Sequence, residues 1–171
     1  MRYACLIVLG LAFCATGCGR SLPTYDAWID LRVPESTLSL KLPFEPKISS
    51  GNGTTKYLCT AGKTDVVFAI IDLPIELPPA AAGKVFDDVL AGDAQGTNAK
   101  IVSQTEITLG NRYPGREVVG EMKQGDDVKS MRTRIYLIGK TLVMQAVTTN
   151  SPEVLADKTI ESFFDSLTIK E

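Results

Sequence analysis

The chain has no histidine. That absence removes the side chain most often used as a general base, the commonest metal ligand and the usual switch near neutral pH. Ser-His and Cys-His nucleophile pairs cannot be assembled within it, nor can a zinc site built on imidazole. A surplus of positive charge is missing too, with 18 Lys and Arg against 20 Asp and Glu and a net charge of −2. Nucleic-acid binders concentrate positive charge on one face, so no nucleic-acid partner is expected. No apolar run reaches the roughly 20 residues that a helix needs to cross a bilayer core. Cysteine is scarce where it would matter: Cys5, Cys14 and Cys18 lie at the very start and only Cys59 falls within the body. An intramolecular disulfide framework is therefore not expected, and Cys59, in a strand-like run, reads as a small buried hydrophobe.

What the chain does have begins at its N-terminus. Arg2 is followed by an apolar run, Ala4–Phe13, and then by Ala15-Thr16-Gly17. A charged start, a short apolar core and small residues make an export signal rather than a membrane span. Ala15-Thr16-Gly17-Cys18 resembles the bacterial lipobox, in which the cysteine becomes the first mature residue and carries a diacylglycerol. Ala15 stands where that motif usually has leucine; Thr16 and Gly17 fit its small-residue positions. The resemblance implies lipidation at Cys18, a membrane partner reached through the lipid, and a location on the cell membrane or outer membrane facing the periplasm or exterior. A protein partner in the envelope is a further expectation. The organisation that follows is a signal peptide over 1–17, a lipidated N-terminus and tether over 18–34, and one domain over 35–171. Trp28–Val33 alternates and could add an edge strand.

Within the body, Val128–Thr148 reads as two strands joined by Gly139-Lys140, where glycine at the first turn position suits a type II′ turn. Closing the turn there sets Leu137 opposite Leu142, Ile135 opposite Met144 and Thr133 opposite Ala146 on an apolar face. Arg132, Arg134, Tyr136, Val143, Gln145 and Val147 fall on a more polar face. A hairpin with one apolar face needs a cover, and a helix over Ser151–Phe164, capped by Ser151 with Pro152 in its first turn, is expected to supply it. Its buried stripe is read as Ala156, Ile160, Phe163, Phe164 and Leu167. Further strands are read over Thr37–Leu42, Lys56–Ala61, Asp65–Leu73, Lys100–Leu109 and Arg116–Glu121, with a short one near Leu167–Ile169. The near-continuous apolar run Val66–Ile71 predicts burial on both faces. Ser49–Thr55 reads as a polar loop, Ala80–Gly92 as an amphipathic helix, Tyr113-Pro114-Gly115-Arg116 as a type II turn, and Gly125-Asp126-Asp127 as another turn.

Candidate chemistry is thin. Arg132 and Arg134, two apart on a strand, share a face, and with Arg116 they could grip a carboxylate or phosphate. The competing reading pairs Arg116 or Arg132 with Glu117 or Glu121 across the sheet. Asp87 and Asp88 read as a solvated acidic face, too few oxygens for a divalent cation, so no metal is expected. No cofactor motif is present, and an enzyme would have to rest on paired carboxylates.

The segments TLSLKLPFEPK, YPGRE, RTRIYLIGKTLVMQAV and FFDSL resemble a group of secreted planctomycete-type bacterial domains. The overall layout resembles the PsbP-like fold. The fold class implied is α+β: an antiparallel sheet of about six to seven strands flanked by two main helices. With no catalytic constellation in the sequence, the function expected is a non-catalytic, membrane-anchored binding or envelope-structure module; the PsbP likeness suggests as an alternative an accessory subunit of a membrane complex, and a carboxylate-based hydrolase is the remaining one.

Overall fold

The computed structural model describes residues 21–97, 99–124 and 127–170. Among the described residues, ten strands and two α-helices form an α+β body. The strands are β1 (Ile29–Arg32), β2 (Leu38–Leu42), β3 (Lys47–Gly51), β4 (Thr54–Ala61), β5 (Thr64–Asp72), β6 (Lys100–Leu109), β7 (Tyr113–Gln124), β8 (Asp127–Ile138), β9 (Thr141–Thr149) and β10 (Thr168–Ile169). The helices are α1 (Ala82–Thr97) and α2 (Lys158–Asp165). Seven strands make an antiparallel sheet in the order β3-β4-β5-β9-β8-β7-β6, and β1-β2-β10 make a second, small sheet.

The β8–β9 hairpin has the register that its sequence predicts: Leu137 pairs Leu142, Ile135 pairs Met144 and Thr133 pairs Ala146. Gly139 takes φ 61°, which glycine accepts without strain. Strand β5 pairs along β9 for nine residues, and Val66, Phe68 and Ala69 are fully enclosed. Two central strands with both faces covered divide the interior into two cores. One side holds Ile135, Leu137, Leu142 and Met144 under Phe86 and Leu90 of α1. The other holds Tyr136, Val143 and Val147 with Trp28, the inward leucines of β2 and the Ile160, Phe163, Phe164 stripe of α2.

That arrangement corrects the expected cover. The hairpin's apolar face is roofed by α1, and α2 lies on the face that carries the arginines. The reason is composition at the same register: Tyr136, Val143 and Val147 are as deeply buried as their counterparts on the other face. They make a second core from residues interleaved with charge.

The closing helix is also shorter than expected. Pro152–Ala156 forms a 3-10 turn without a side-chain cap from Ser151. Asp157, with ψ 141°, then breaks the run, and its carboxylate accepts from the Thr159 amide at 2.7 Å, starting α2 afresh. Competition from an Asx cap explains the break, since Asp offers its own acceptor to the free amides of a new first turn. Leu155 is buried in place of Ala156, which is exposed.

Three loops differ from their sequence reading. Ser49–Gly51 belongs to β3, and the turn tightens to Asn52-Gly53, both at positive φ, the pattern of a two-residue hairpin turn. The β6–β7 turn is Gly110-Asn111-Arg112, so Tyr113-Pro114-Gly115-Arg116 is strand rather than turn. Helix α1 runs past Gly92 to Thr97. The predicted turn residues Gly125 and Asp126, the signal peptide 1–17 and Cys18 lie outside the described residues; Asp127 pairs Gln124 across the base of that turn.

Much of the segment read as tether is folded. Strand β1 pairs with β2 from Ile29↔Leu42 to Arg32↔Ser39. Trp28 is 4% exposed and its indole N–H donates to the Pro23 carbonyl at 3.1 Å.

Candidate functional site

The strongest polar cluster is built on β7, β8 and α2. Register places Glu117 directly opposite Arg134, with Arg132 two residues along β8 on the same face. Helix α2 crosses that face because Ile160, Phe163 and Phe164 occupy one helical stripe, and this brings Glu161 and Asp165 over the arginines. Glu117 Oε2 accepts from Arg132 Nη2 at 2.7 Å and from Arg134 Nε at 2.6 Å. Glu161 accepts from both guanidiniums, at 2.5 Å from Arg132 Nη1 and 2.7 Å from Arg134 Nη2. Asp165 accepts from Arg134 Nη1 at 2.8 Å. The Phe164 ring lies beneath both arginines, 4.8 and 5.1 Å from their central carbons. Cation–π attraction of this kind contributes most where water is excluded.

The electrostatics follow from the geometry. Burial acts to raise the Glu117 carboxyl, but the hydrogen bonds from Arg132 and Arg134 outweigh it and hold it below the usual carboxylate range. Glu161 is lowered chiefly by its bond from Arg132. Burial acts to lower Arg132 and Arg134, and their carboxylate partners reverse that and raise both. Three anions thus face two cations, and the arginine forks point at carboxylates of the chain itself. An anion from outside would have to displace an internal one.

Arg116 does not join this cluster. It pairs Ile135 in the ladder and so projects to the opposite face. There it donates to Asp87 of α1 and, at 3.1 Å, to Gln104, with its guanidinium 5.6 Å from the Phe86 ring centre. A shallow cleft of about 350 Å³ opens beside it, lined by Phe86, Glu106, Ile107, Pro114 and Gly115. The expected convergence of Arg116, Arg132 and Arg134 is therefore replaced by two separate ion-pair sites, one per sheet face. The alternation of strand side chains is the cause, because residues 116 and 117 must point opposite ways.

Asp87 is taken up by Arg116, and Asp88 is bound at 2.7 Å by Lys84 one turn earlier on α1. Cys59 is 2% exposed, and its thiol donates to the Phe44 carbonyl at 3.2 Å. Burial is the main cause that pushes the thiol up to about 11, which leaves little thiolate to react. Among the described residues no group of His, Cys, Asp and Glu is arranged to hold a metal ion, and no helix is long and apolar enough to cross a membrane.

Sequence reasoning found Arg132, Arg134 and Glu117 but missed Glu161 and Asp165. Their spacing of four on the helix that carries Phe164 was the available signal. A second buried pair was missed altogether: Asp65 accepts from Lys129 Nζ at 3.1 Å and from the Thr60 hydroxyl at 2.8 Å.

No family model and no curated protein matches the chain. Solved structures do. A cyanobacterial PsbP, CyanoP from Synechocystis sp. PCC 6803, aligns with a TM-score of 0.60 at 11% identity, covering 94% of this chain and 99% of that one. PA94 of Pseudomonas aeruginosa, a protein of unknown function, aligns at 0.48 with 14% identity over 84% of this chain and 98% of its own. LpqN of Mycobacterium tuberculosis, involved in cell envelope biogenesis, aligns at 0.44 with 12% identity over 92% of this chain and 88% of its own. The CyanoP match, together with a helix-flanked antiparallel sheet and the small β1-β2-β10 sheet packed on one of its faces, gives this chain a PsbP-like fold.

Proposed function

We propose that this chain is a lipid-anchored, extracytoplasmic module that binds or scaffolds and does not catalyse. The observation that carries the non-catalytic half is the closed arginine–carboxylate clasp. A glycoside hydrolase needs one carboxyl raised so that it can donate a proton, whereas Glu117 and Glu161 are both shifted the other way by the arginines they share. The histidine-free composition leaves few other routes to proton transfer. The anchored half rests on Ala15-Thr16-Gly17-Cys18 placed directly after an apolar export core. A diacylglycerol supplies the two chains that stable anchoring requires.

A second reading, an accessory subunit of a membrane complex, is favoured by β6. This ten-residue strand ends the large sheet, and its outer edge has no partner among the described strands. Open edges are where other chains add strands, although the irregular register at Ile101/Ser103 limits how far pairing could run.

The test is fractionation of cells expressing the full-length chain or its Cys18→Ser variant, with alkyne-tagged fatty acid in the medium. The wild type should take up label and sediment with membranes, and the variant should be unlabelled and leave the membrane pellet. Identical behaviour of the two proteins would discard the anchored reading.

A further inference from the structure

Resting on that reading of Cys18, we infer that the body is held flush against the bilayer in one orientation, with the end of the sheet at Gly62-Lys63 seated in the lipid headgroup layer. From Leu22 onward the segment that follows the anchor is part of the folded body. Leu22 and Tyr25 pack on the larger core, Lys41 sits 5.0 Å from the Tyr25 ring centre, and the buried Trp28 holds the Pro23 carbonyl. Only Gly19 and Arg20 separate Cys18 from Ser21. Three residue steps reach at most about 11 Å when fully stretched. A headgroup layer is roughly 5–7 Å deep on each side of the bilayer core, so about half of that reach is spent before the chain leaves the lipid.

What surrounds Ser21 must therefore meet the membrane. Leu22 and Pro23 border a cleft of about 480 Å³ shared with Gly62, Val154, Asp157 and Thr159. This rim is mostly uncharged and mixes small apolar and hydroxyl side chains, which suits a layer that is neither hydrocarbon nor bulk water. The opposite end of the sheet is then fixed by topology. Thr64 pairs Thr149 near the anchored end, and Asp72 pairs Thr141 at the other. Eight strand steps separate them, about 26 Å at 3.3 Å per residue. The Gly139-Lys140 turn accordingly points away from the bilayer, out of reach of the headgroups.

The test uses full-length acylated protein, its lipid confirmed by intact mass, in vesicles of mixed zwitterionic and anionic phospholipid. A nitroxide is attached at Lys63→Cys or at Lys140→Cys; Cys59 is too enclosed to compete for label. Collision with a water-soluble nickel complex should be several-fold weaker at position 63 than at position 140. A ten-residue Gly/Ser insert between Gly19 and Arg20, which adds a root-mean-square reach of about 17 Å, should remove that difference. Equal collision rates in the acylated protein without the insert would overturn the orientation while leaving the anchor intact. Shielding that survives the insert would overturn it too, because the short link would then not be the cause. Absence of acyl mass on Cys18 would instead remove the anchored reading, and the orientation with it.

Discussion

Gly115 shows how one residue can be read for the wrong reason. In the sequence it follows Pro114 and suggests a turn, yet the structure places it in β7 opposite Tyr136. A Cβ there would lie 2.4 Å from Tyr136 Cδ1 and 2.8 Å from the Ile135 carbonyl oxygen. Glycine is required by close approach of the neighbouring strand, not by backbone conformation. Tyr136 is 3% exposed and packed in the larger core. Gly115→Ala should therefore destabilise by about 1–3 kcal/mol, the usual cost of overpacking a tight interior. At this chain length that lowers the melting midpoint by roughly 2–4 °C per kcal/mol. A thermal unfolding curve superimposable on the wild type would show that the strands yield more easily than the packing implies.

Among the elements, α2 joins the fold through its charges as well as its aromatic stripe. Glu117, Glu161 and Asp165 fasten it to β7 and β8 through Arg132 and Arg134. Because Glu117 and Glu161 sit below their unfolded value of about 4.3, the unfolded chain takes up protons first as the pH falls. The clasp's contribution is fully present above that value and is lost as the pH drops through the lowered folded values. The denaturation midpoint should hold steady from about pH 8 to 6 and fall steeply below about pH 4. Glu117→Gln should lower the neutral-pH midpoint and flatten the acid limb. An unchanged acid limb in the variant would mean that Glu117 does not govern acid lability. At this scale the sequence was partly legible. The β8–β9 register followed from alternation and a glycine turn, and the double-faced burial of β5 followed from its apolar run. Which helix covers which face did not follow, because Tyr136, Val143 and Val147 alternate with Arg132, Arg134 and Gln145 and make that side look solvated. Nor could three arginines be sorted between faces until the β7–β8 register set Arg116 against Ile135 and Glu117 against Arg134.

For the molecule as a whole, the α+β class and the PsbP-like layout were legible in the order of elements and are borne out by the likeness to CyanoP. The entry of the chain into the body was less legible. Pro23 and Pro34 look like punctuation of a tether, but Trp28, the sole tryptophan, binds the segment between them to the core. That single burial makes this stretch part of the folded body. The most direct test of the central claim is the intact mass of the native protein extracted from the membranes of cells making the full-length chain. The account predicts a product that begins at residue 18 with the added mass of a thioether-linked diacylglycerol. A product that starts elsewhere, or starts there without lipid, would contradict it.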